Sequence, residues 1–329
     1  MIPNAVSVIG AGAFGTALAL AFARAGREVT LWGRDGARMD AMAATRDCAP
    51  YLPDIRLEGE ITPTADLALA GGAPLLVMAV PTQSLWQVMK DLAAHLNRDA
   101  VVISAAKGIE RETGFFVTES MRDAAGNHAY GILSGPSFAS DIARGLPTAI
   151  VLAMREEEQA KAIARHLSSP GLRLYHSADI RGVEIGGAAK NVLAIAAGIV
   201  SGMGLGESAR AAIVTRGFAE LRRYAEAHGA RPETLMGLSG LGDLVLSASS
   251  AQSRNFALGL ALGGGKSIAE ANPSGKLAEG VFTAGILAET ARRKNVEMPI
   301  VEAVSNVLDG KITVVEAARA LMTRPLKGE

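Results

Sequence analysis

Short runs of β-branched and apolar residues alternate with amphipathic stretches through the first half of the chain. The runs predict strands at residues 6–9, 28–32, 75–79, 101–104, 130–133, 148–152 and 172–175. Helical patterns fall between several of them, at 17–23, 84–96 and 156–167. Such alternation implies an α/β architecture, with a doubly wound, mostly parallel sheet covered on both faces. After about Asp179 the strand-like runs vanish. Ala-, Leu-, Glu- and Arg-rich helical patterns follow at 183–200, 209–227, 255–262, 284–294 and 300–309, which predicts an all-helical second half. A chain of 329 residues is long enough for two domains, and the change in pattern divides them into 1–182 and 183–329.

The first strand and helix are joined by Gly10-Ala-Gly12-Ala-Phe-Gly15. Strand, Gly-x-Gly-x-x-Gly and helix is the arrangement that holds a dinucleotide pyrophosphate on the helix N-terminus. Gly10 permits the tight turn, Gly12 lets the backbone approach the phosphates, and Gly15 lets the helix pack on the strand. The end of the second strand, where the adenosine ribose lies in such folds, reads Leu31-Trp32-Gly33-Arg34-Asp35. Arg34 comes before the nearest carboxylate, so the 2′-phosphate of NADP is mildly favoured over the free ribose of NAD, with use of both left open.

Composition narrows the remaining classes. With 33 basic and 33 acidic residues the formal net charge is +0, which provides no general field for nucleic acid or an anionic membrane. The single cysteine, Cys48, excludes an intramolecular disulfide and reads as an inert surface thiol in a loop. The five histidines are scattered without ligand spacing, so no metal site is expected. The start of the chain lacks the pattern of a signal peptide. The longest apolar stretch, at 192–206, is broken by glycines and too short to span a bilayer, so it reads as a buried core helix. The expectation is a soluble, cytoplasmic protein without integral membrane association. A homodimer is left open.

The candidate chemistry rests on lysines. In open α/β sheets ligands bind beyond the carboxyl ends of the strands. There the chain offers Ser104-Ala-Ala-Lys107-Gly108 and Ser134-Gly135-Pro136-Ser137-Phe138-Ala139. Lys107 follows an apolar strand directly, while Gly135 and Ser137 belong to a tight turn whose N–H groups can face a ligand. Lys190 lies in Gly186-Gly-Ala-Ala-Lys190-Asn191-Val-Leu-Ala-Ile, a helix apolar nearly all round and hence buried. A buried lysine is rare unless it is paired or functional. Desolvation and a second cation such as Lys107 would bring its pKa towards neutrality, as a proton donor to a carbonyl oxygen requires. The bland alternative is an ion pair with Glu184 or another carboxylate. A third cluster joins Gly237-Leu-Ser-Gly-Leu-Gly242-Asp243 to Ser253-Arg254-Asn255, which opens a predicted helix and combines free N–H groups with a guanidinium fork into a phosphate site.

Taken together, these segments resemble the NAD(P)-dependent sn-glycerol-3-phosphate dehydrogenases of the bacterial type. The motifs are Gly10-Ala-Gly-Ala-Phe-Gly-Thr, Ser104-Ala-Ala-Lys-Gly-Ile, Leu133-Ser-Gly-Pro-Ser-Phe-Ala, Gly187-Ala-Ala-Lys-Asn-Val, Gly242-Asp-Leu with Ser253-Arg-Asn, and Leu277-Ala-Glu279-Gly-Val-Phe-Thr-Ala. The resemblance implies a Rossmann-like dinucleotide domain followed by a helical substrate domain of the 6-phosphogluconate-dehydrogenase-like kind. It implies Lys190 as the acid–base group, with Lys107, Asn191 and Asp243 in the catalytic set. Lys107, Gly135, Ser137, Lys190, Asp243, Ser253, Arg254 and Asn255 would line the substrate site. Gly10, Gly12, Ala13, Phe14, Gly15, Arg34, Lys107, Ala139, Arg254, Leu277 and Glu279 would hold NADP or NAD. Ala13 and Ala106 depart from the family pattern, which often has Ser and Thr there. The implied reaction passes hydride from NADPH or NADH to the ketone carbon of dihydroxyacetone phosphate while Lys190 protonates the developing alkoxide.

Two alternatives differ in the residues they need. A β-hydroxyacid or 6-phosphogluconate-type dehydrogenase shares the helical lysine but usually carries an Asn one turn later, where this chain has Ala194. A non-catalytic NADPH-binding redox sensor would need neither Lys190 nor Arg254.

Overall fold

The computed structural model describes residues 4–272 and 278–323. The chain divides into two compact units, one comprising Met1–Glu110 and Phe115–Glu184, the other Arg111–Gly114 and Ile185–Glu329. The division falls inside a helix, Ile180–Gly202, that begins three residues before its predicted start. Asp179 accounts for the earlier start. Its carboxylate accepts from the Gly182 N–H at 2.9 Å, a side-chain cap on the first turn.

The first unit is built on an eight-stranded sheet of order β3-β2-β1-β4-β5-β6-β7-β8. The strands are β1 (Ala5–Ile9), β2 (Glu28–Trp32), β3 (Ile61–Thr64), β4 (Leu75–Met78), β5 (Val101–Ser104), β6 (Ala129–Ser134), β7 (Thr148–Met154) and β8 (Leu172–Ser177). All neighbours are parallel except β6 and β7, which run antiparallel with Leu133 opposite Leu152. Strand β3 has no counterpart among the predicted strands. It is an edge strand of four residues containing Pro63, and proline in a sheet is confined to such edges, so its sequence reads as a turn. The central strands are buried on both faces: Leu75, Leu76, Val77 and Met78 are all within 2% of full burial. This explains why β4 reads as a continuous apolar run rather than an alternation.

Cys48 corrects one expectation. It is fully buried rather than at the surface, and burial pushes its thiol up to about 11, so it is inert because it lies inside.

The second unit is helical. Its main elements are Glu207–Ala227, Asp243–Ser249, Arg254–Gly263, Glu279–Arg293, Pro299–Leu308 and Val314–Met322, arranged with the greater part of Ile180–Gly202. That last helix is long and apolar enough to cross a membrane, but 94% of its apolar stretch is buried inside the molecule, as a core helix requires. It packs through glycines. A Cβ on Gly198 would lie 2.2 Å from the Phe256 carbonyl oxygen, and one on Gly259 would lie 2.1 Å from that of Ile195. The two backbones are therefore in direct contact, and no side chain fits between them.

Candidate active site

In the first unit the glycine loop leaves β1 and enters the helix Ala13–Arg24. Gly10 has φ +121°, and a Cβ there would meet the Ala79 carbonyl oxygen at 2.6 Å. A Cβ on Gly15 would lie 1.9 Å from the Gly10 carbonyl oxygen, so protein packing alone demands glycine at both positions. Gly12 differs, since a Cβ there would meet nothing within 4 Å. The protein leaves that space open, as close approach of a pyrophosphate to the backbone requires. Gly12 is also the N-cap of the helix, which has neither a side-chain cap nor an acidic residue in its first turn. Its N-terminal donors and dipole therefore remain available for an anion, and the loop fits a dinucleotide. Ala13 and Phe14 form the first helical turn and are half-buried.

At the end of β2, Arg34 is exposed and makes no hydrogen bond or ion pair among the described residues. Asp35, the nearest carboxylate, caps the helix Gly36–Thr45 by accepting from the Arg38 N–H at 3.1 Å.

Lys107 follows β5 and is half-buried, unlike a solvated surface lysine. Its Nζ donates to the Gly135 carbonyl at 2.9 Å and sits 6.0 Å from the centre of the Phe14 ring. Gly135 has φ +147°, and a Cβ there would meet Ile150 Cα at 2.9 Å, so the turn after β6 requires glycine. The Ser137 hydroxyl donates to the same Gly135 carbonyl at 2.9 Å. The Gly135 carbonyl thus ties this turn to Lys107. Ala139 opens the short helix Ala139–Ala143 just beyond.

In the second unit Lys190 is 6% exposed. Its Nζ donates to Asp243 Oδ1 at 2.9 Å and to Ser247 Oγ at 2.6 Å, and Ser247 Oγ lies 3.4 Å from the same Asp243 oxygen. All three residues are buried. Asp243 and Ser247 are one turn apart on Asp243–Ser249, so they present two acceptors on one face to a single ammonium. The approach is set by the π-turn Leu238–Gly242, whose Ser239 carbonyl oxygen would lie 2.8 Å from a Cβ on Gly186 of the lysine helix. Glu184, the carboxylate nearest Lys190 in sequence, has other partners in the first unit. It accepts from the Thr118 N–H at 2.9 Å and the Thr118 hydroxyl at 2.7 Å, and it lies 3.5 Å from Arg181. Burial raises its pKa against the opposing effect of those partners.

Asn191 Oδ1 accepts from Asn255 Nδ2 at 3.0 Å, and Asn255 Oδ1 accepts from the Gly280 N–H at 3.1 Å. Asn255 thus ties three helices together at the N-terminal end of its own helix, beside Arg254. Ser253 caps Arg254–Gly263 by accepting from the Phe256 N–H at 3.3 Å. Arg254 is exposed at that N-terminus with no hydrogen bond or ion pair among the described residues. Glu279 begins Glu279–Arg293 and is half-buried. Leu277 lies outside the described residues. Ser247 is the one member of the buried cluster that sequence reading assigned no role. Its signal was its place one helical turn after Asp243.

A dinucleotide loop in an α/β unit and a desolvated lysine paired with a carboxylate in a helical unit define a class, the nicotinamide-nucleotide-dependent dehydrogenases. The comparisons with known proteins identify the family. The family model for the NAD-dependent glycerol-3-phosphate dehydrogenase N-terminus matches residues 5–160, and that for the C-terminus matches residues 179–319. A glycerol-3-phosphate dehydrogenase [NAD(P)+] of Bradyrhizobium diazoefficiens is 57% identical over 99% of this chain and 98% of its own length. One from Azorhizobium caulinodans is 54% identical over 98% of each. The crystal structure of the glycerol-3-phosphate dehydrogenase of Coxiella burnetii superimposes with a TM-score of 0.92 at 34% identity, over 98% of this chain and 99% of that one. The chain belongs to the NAD-dependent glycerol-3-phosphate dehydrogenase family.

Proposed function

We propose that the chain interconverts dihydroxyacetone phosphate and sn-glycerol 3-phosphate with NADPH or NADH, in the cytoplasm, and so supplies glycerol phosphate for phospholipid synthesis. The observation that carries this reading is the buried Lys190 ammonium held by Asp243 and Ser247 at the start of the substrate-binding unit. The nicotinamide, when bound, supplies or accepts the hydride. Gly12 and the N-terminus of Ala13–Arg24 take the pyrophosphate, and Arg34 takes the 2′-phosphate when one is present.

Lys190 is the proton donor to the developing alkoxide in reduction and the acceptor in oxidation. Asp243 and Ser247 fix the position of its Nζ. Lys107, steadied on the Gly135 carbonyl, adds positive charge beside the reacting oxygen. Arg254, with the N-terminus of its helix, holds the substrate phosphate and thereby fixes the carbonyl in reacting geometry. Asn191 and Asn255 hold these helices in register. The substrate is a small phosphorylated molecule.

The test is a pair of substrates. Charge-assisted hydrogen bonds contribute roughly 1.5–3 kcal/mol each, so removing the phosphate should lower kcat/KM at least about a hundredfold. Comparable rates on dihydroxyacetone phosphate and dihydroxyacetone would end this reading, as would a preference for 6-phosphogluconate.

A further inference from the structure

Arg38 is the third residue of the helix Gly36–Thr45. Its guanidinium sits 4.2 Å over the centre of the Tyr51 ring. One Nη donates to the carbonyl of Ala11, inside the glycine loop, at 2.6 Å. The Nε is buried with no hydrogen-bond partner. The neighbourhood is also tight: a Cβ on Gly33 would meet Met39 Sδ at 2.5 Å and Ala11 Cβ at 3.0 Å. The start of the Arg38 helix is thus pressed against the loop, with little room for Ala11 to move.

The consequence follows from peptide geometry. The bond joining Ala11 to Gly12 is planar and trans, so its C=O and N–H point in opposite directions. With the Ala11 oxygen turned to Arg38, the Gly12 N–H is turned to the other side. Gly12 is the loop position whose side faces open space. We propose that Arg38 is a positioning residue of the dinucleotide site, which fixes the Ala11–Gly12 peptide so that the Gly12 N–H is presented to the pyrophosphate. The stack on Tyr51 keeps the guanidinium flat and so keeps its Nη in line with the carbonyl. This role differs from that of Arg34, which acts on the 2′-phosphate alone, and it rests on the dinucleotide reading of the glycine loop.

The experiment measures dissociation constants by calorimetry for NADPH, NADH and ADP-ribose, which share only the adenosine diphosphate moiety and its ribose. Arg38→Met keeps the apolar stem and removes the donor. It should weaken all three ligands by a similar factor, about tenfold, the size of one charge-assisted hydrogen bond. Arg38→Lys can still donate to the carbonyl and should recover part of that loss. Thermal midpoints taken alongside show whether each variant is folded at the temperature of titration. Should Arg38→Met fail to fold, Arg38→Lys alone decides, with a uniform loss of at least about threefold expected from its poorer geometry. Unchanged affinities would overturn the proposal, and so would a loss confined to NADPH, which would make Arg38 a direct 2′-phosphate ligand. If the unsubstituted protein bound none of the three, the dinucleotide reading itself would fail.

Discussion

Lys190 and Asp243 are 53 positions apart in the chain and meet at 2.9 Å, both almost fully buried. A desolvated ion pair of this kind adds little net stability, because burying two charges offsets most of their attraction. Removing one partner is another matter, since it leaves the other buried and uncompensated. Under the proposed mechanism the pair links catalysis and folding in a way that mutagenesis can separate.

Lys190→Ala should lower kcat by a factor of about 10² to 10⁴, the usual effect of losing a positioned acid–base group. It should also cost about 3–5 kcal/mol of stability by stranding Asp243. The double variant Lys190→Met with Asp243→Asn should regain much of the stability and none of the rate. Lys190→Arg should be nearly as inactive as Lys190→Ala, because guanidinium holds its proton too tightly to give it up. Thermal midpoints and kcat on all three variants decide the matter. Near-normal turnover in Lys190→Ala would remove this lysine from the mechanism.

Ser247→Ala takes away an acceptor of the Lys190 ammonium. Hydrogen bonds to charged groups are worth roughly 1.5–3 kcal/mol, so kcat should fall about tenfold to a hundredfold. The affinity for NADPH should be unaffected, and Ser247→Thr should restore the rate. A Ser247→Ala enzyme with normal kcat and a normal pH profile would reduce the hydroxyl to a packing role.

Arg34→Asp should lower kcat/KM with NADPH and spare or raise it with NADH, because the 2′-phosphate would lose its cation and meet a carboxylate. Asp35→Ala serves as the contrast. Loss of that helix cap should cost about 0.5–2 kcal/mol of stability without altering the preference between cofactors. Equal losses with both cofactors in Arg34→Asp would mean that Arg34 does not discriminate between them.

Glu184 gives a pH dependence of definite sign. Burial raises its pKa above the ordinary value of 4.5, so the folded chain holds this proton more tightly than the unfolded chain. Its contribution is therefore fully present below 4.5 and declines as pH rises through the raised folded value. Glu184→Gln cannot ionise and should flatten that part of the stability profile. Urea unfolding at a series of pH values tests this, and an unaltered profile in Glu184→Gln would count against it.

Much of this protein is set by local pattern. The glycine spacing after β1 declares itself because backbone packing excludes a Cβ at Gly10 and Gly15, while the space beside Gly12 stays open. The apolar surroundings of Lys190 announce burial because a helix brings every third or fourth residue onto one face. Other features lie beyond that reach. Strand β3 is invisible because a short edge strand with a proline carries no alternation, and it exists only by pairing with β2. Cys48 looks like a loop thiol because it stands in Asp47-Cys48-Ala49-Pro50, and only folding places it in the hydrophobic core of the first unit. The partners of Lys190 were not readable either. Glu184 and Asp243 are equally acidic in sequence, and the choice falls to Asp243 because the π-turn Leu238–Gly242 approaches the lysine helix at Gly186. Asn255 turns inward to Asn191 because Gly259 lets its helix touch Gly198. Sequence determined which side chains are candidates for the chemistry, since that depends on residue type and local period. Tertiary structure decided which of them meet, since that depends on backbones approaching over long separations.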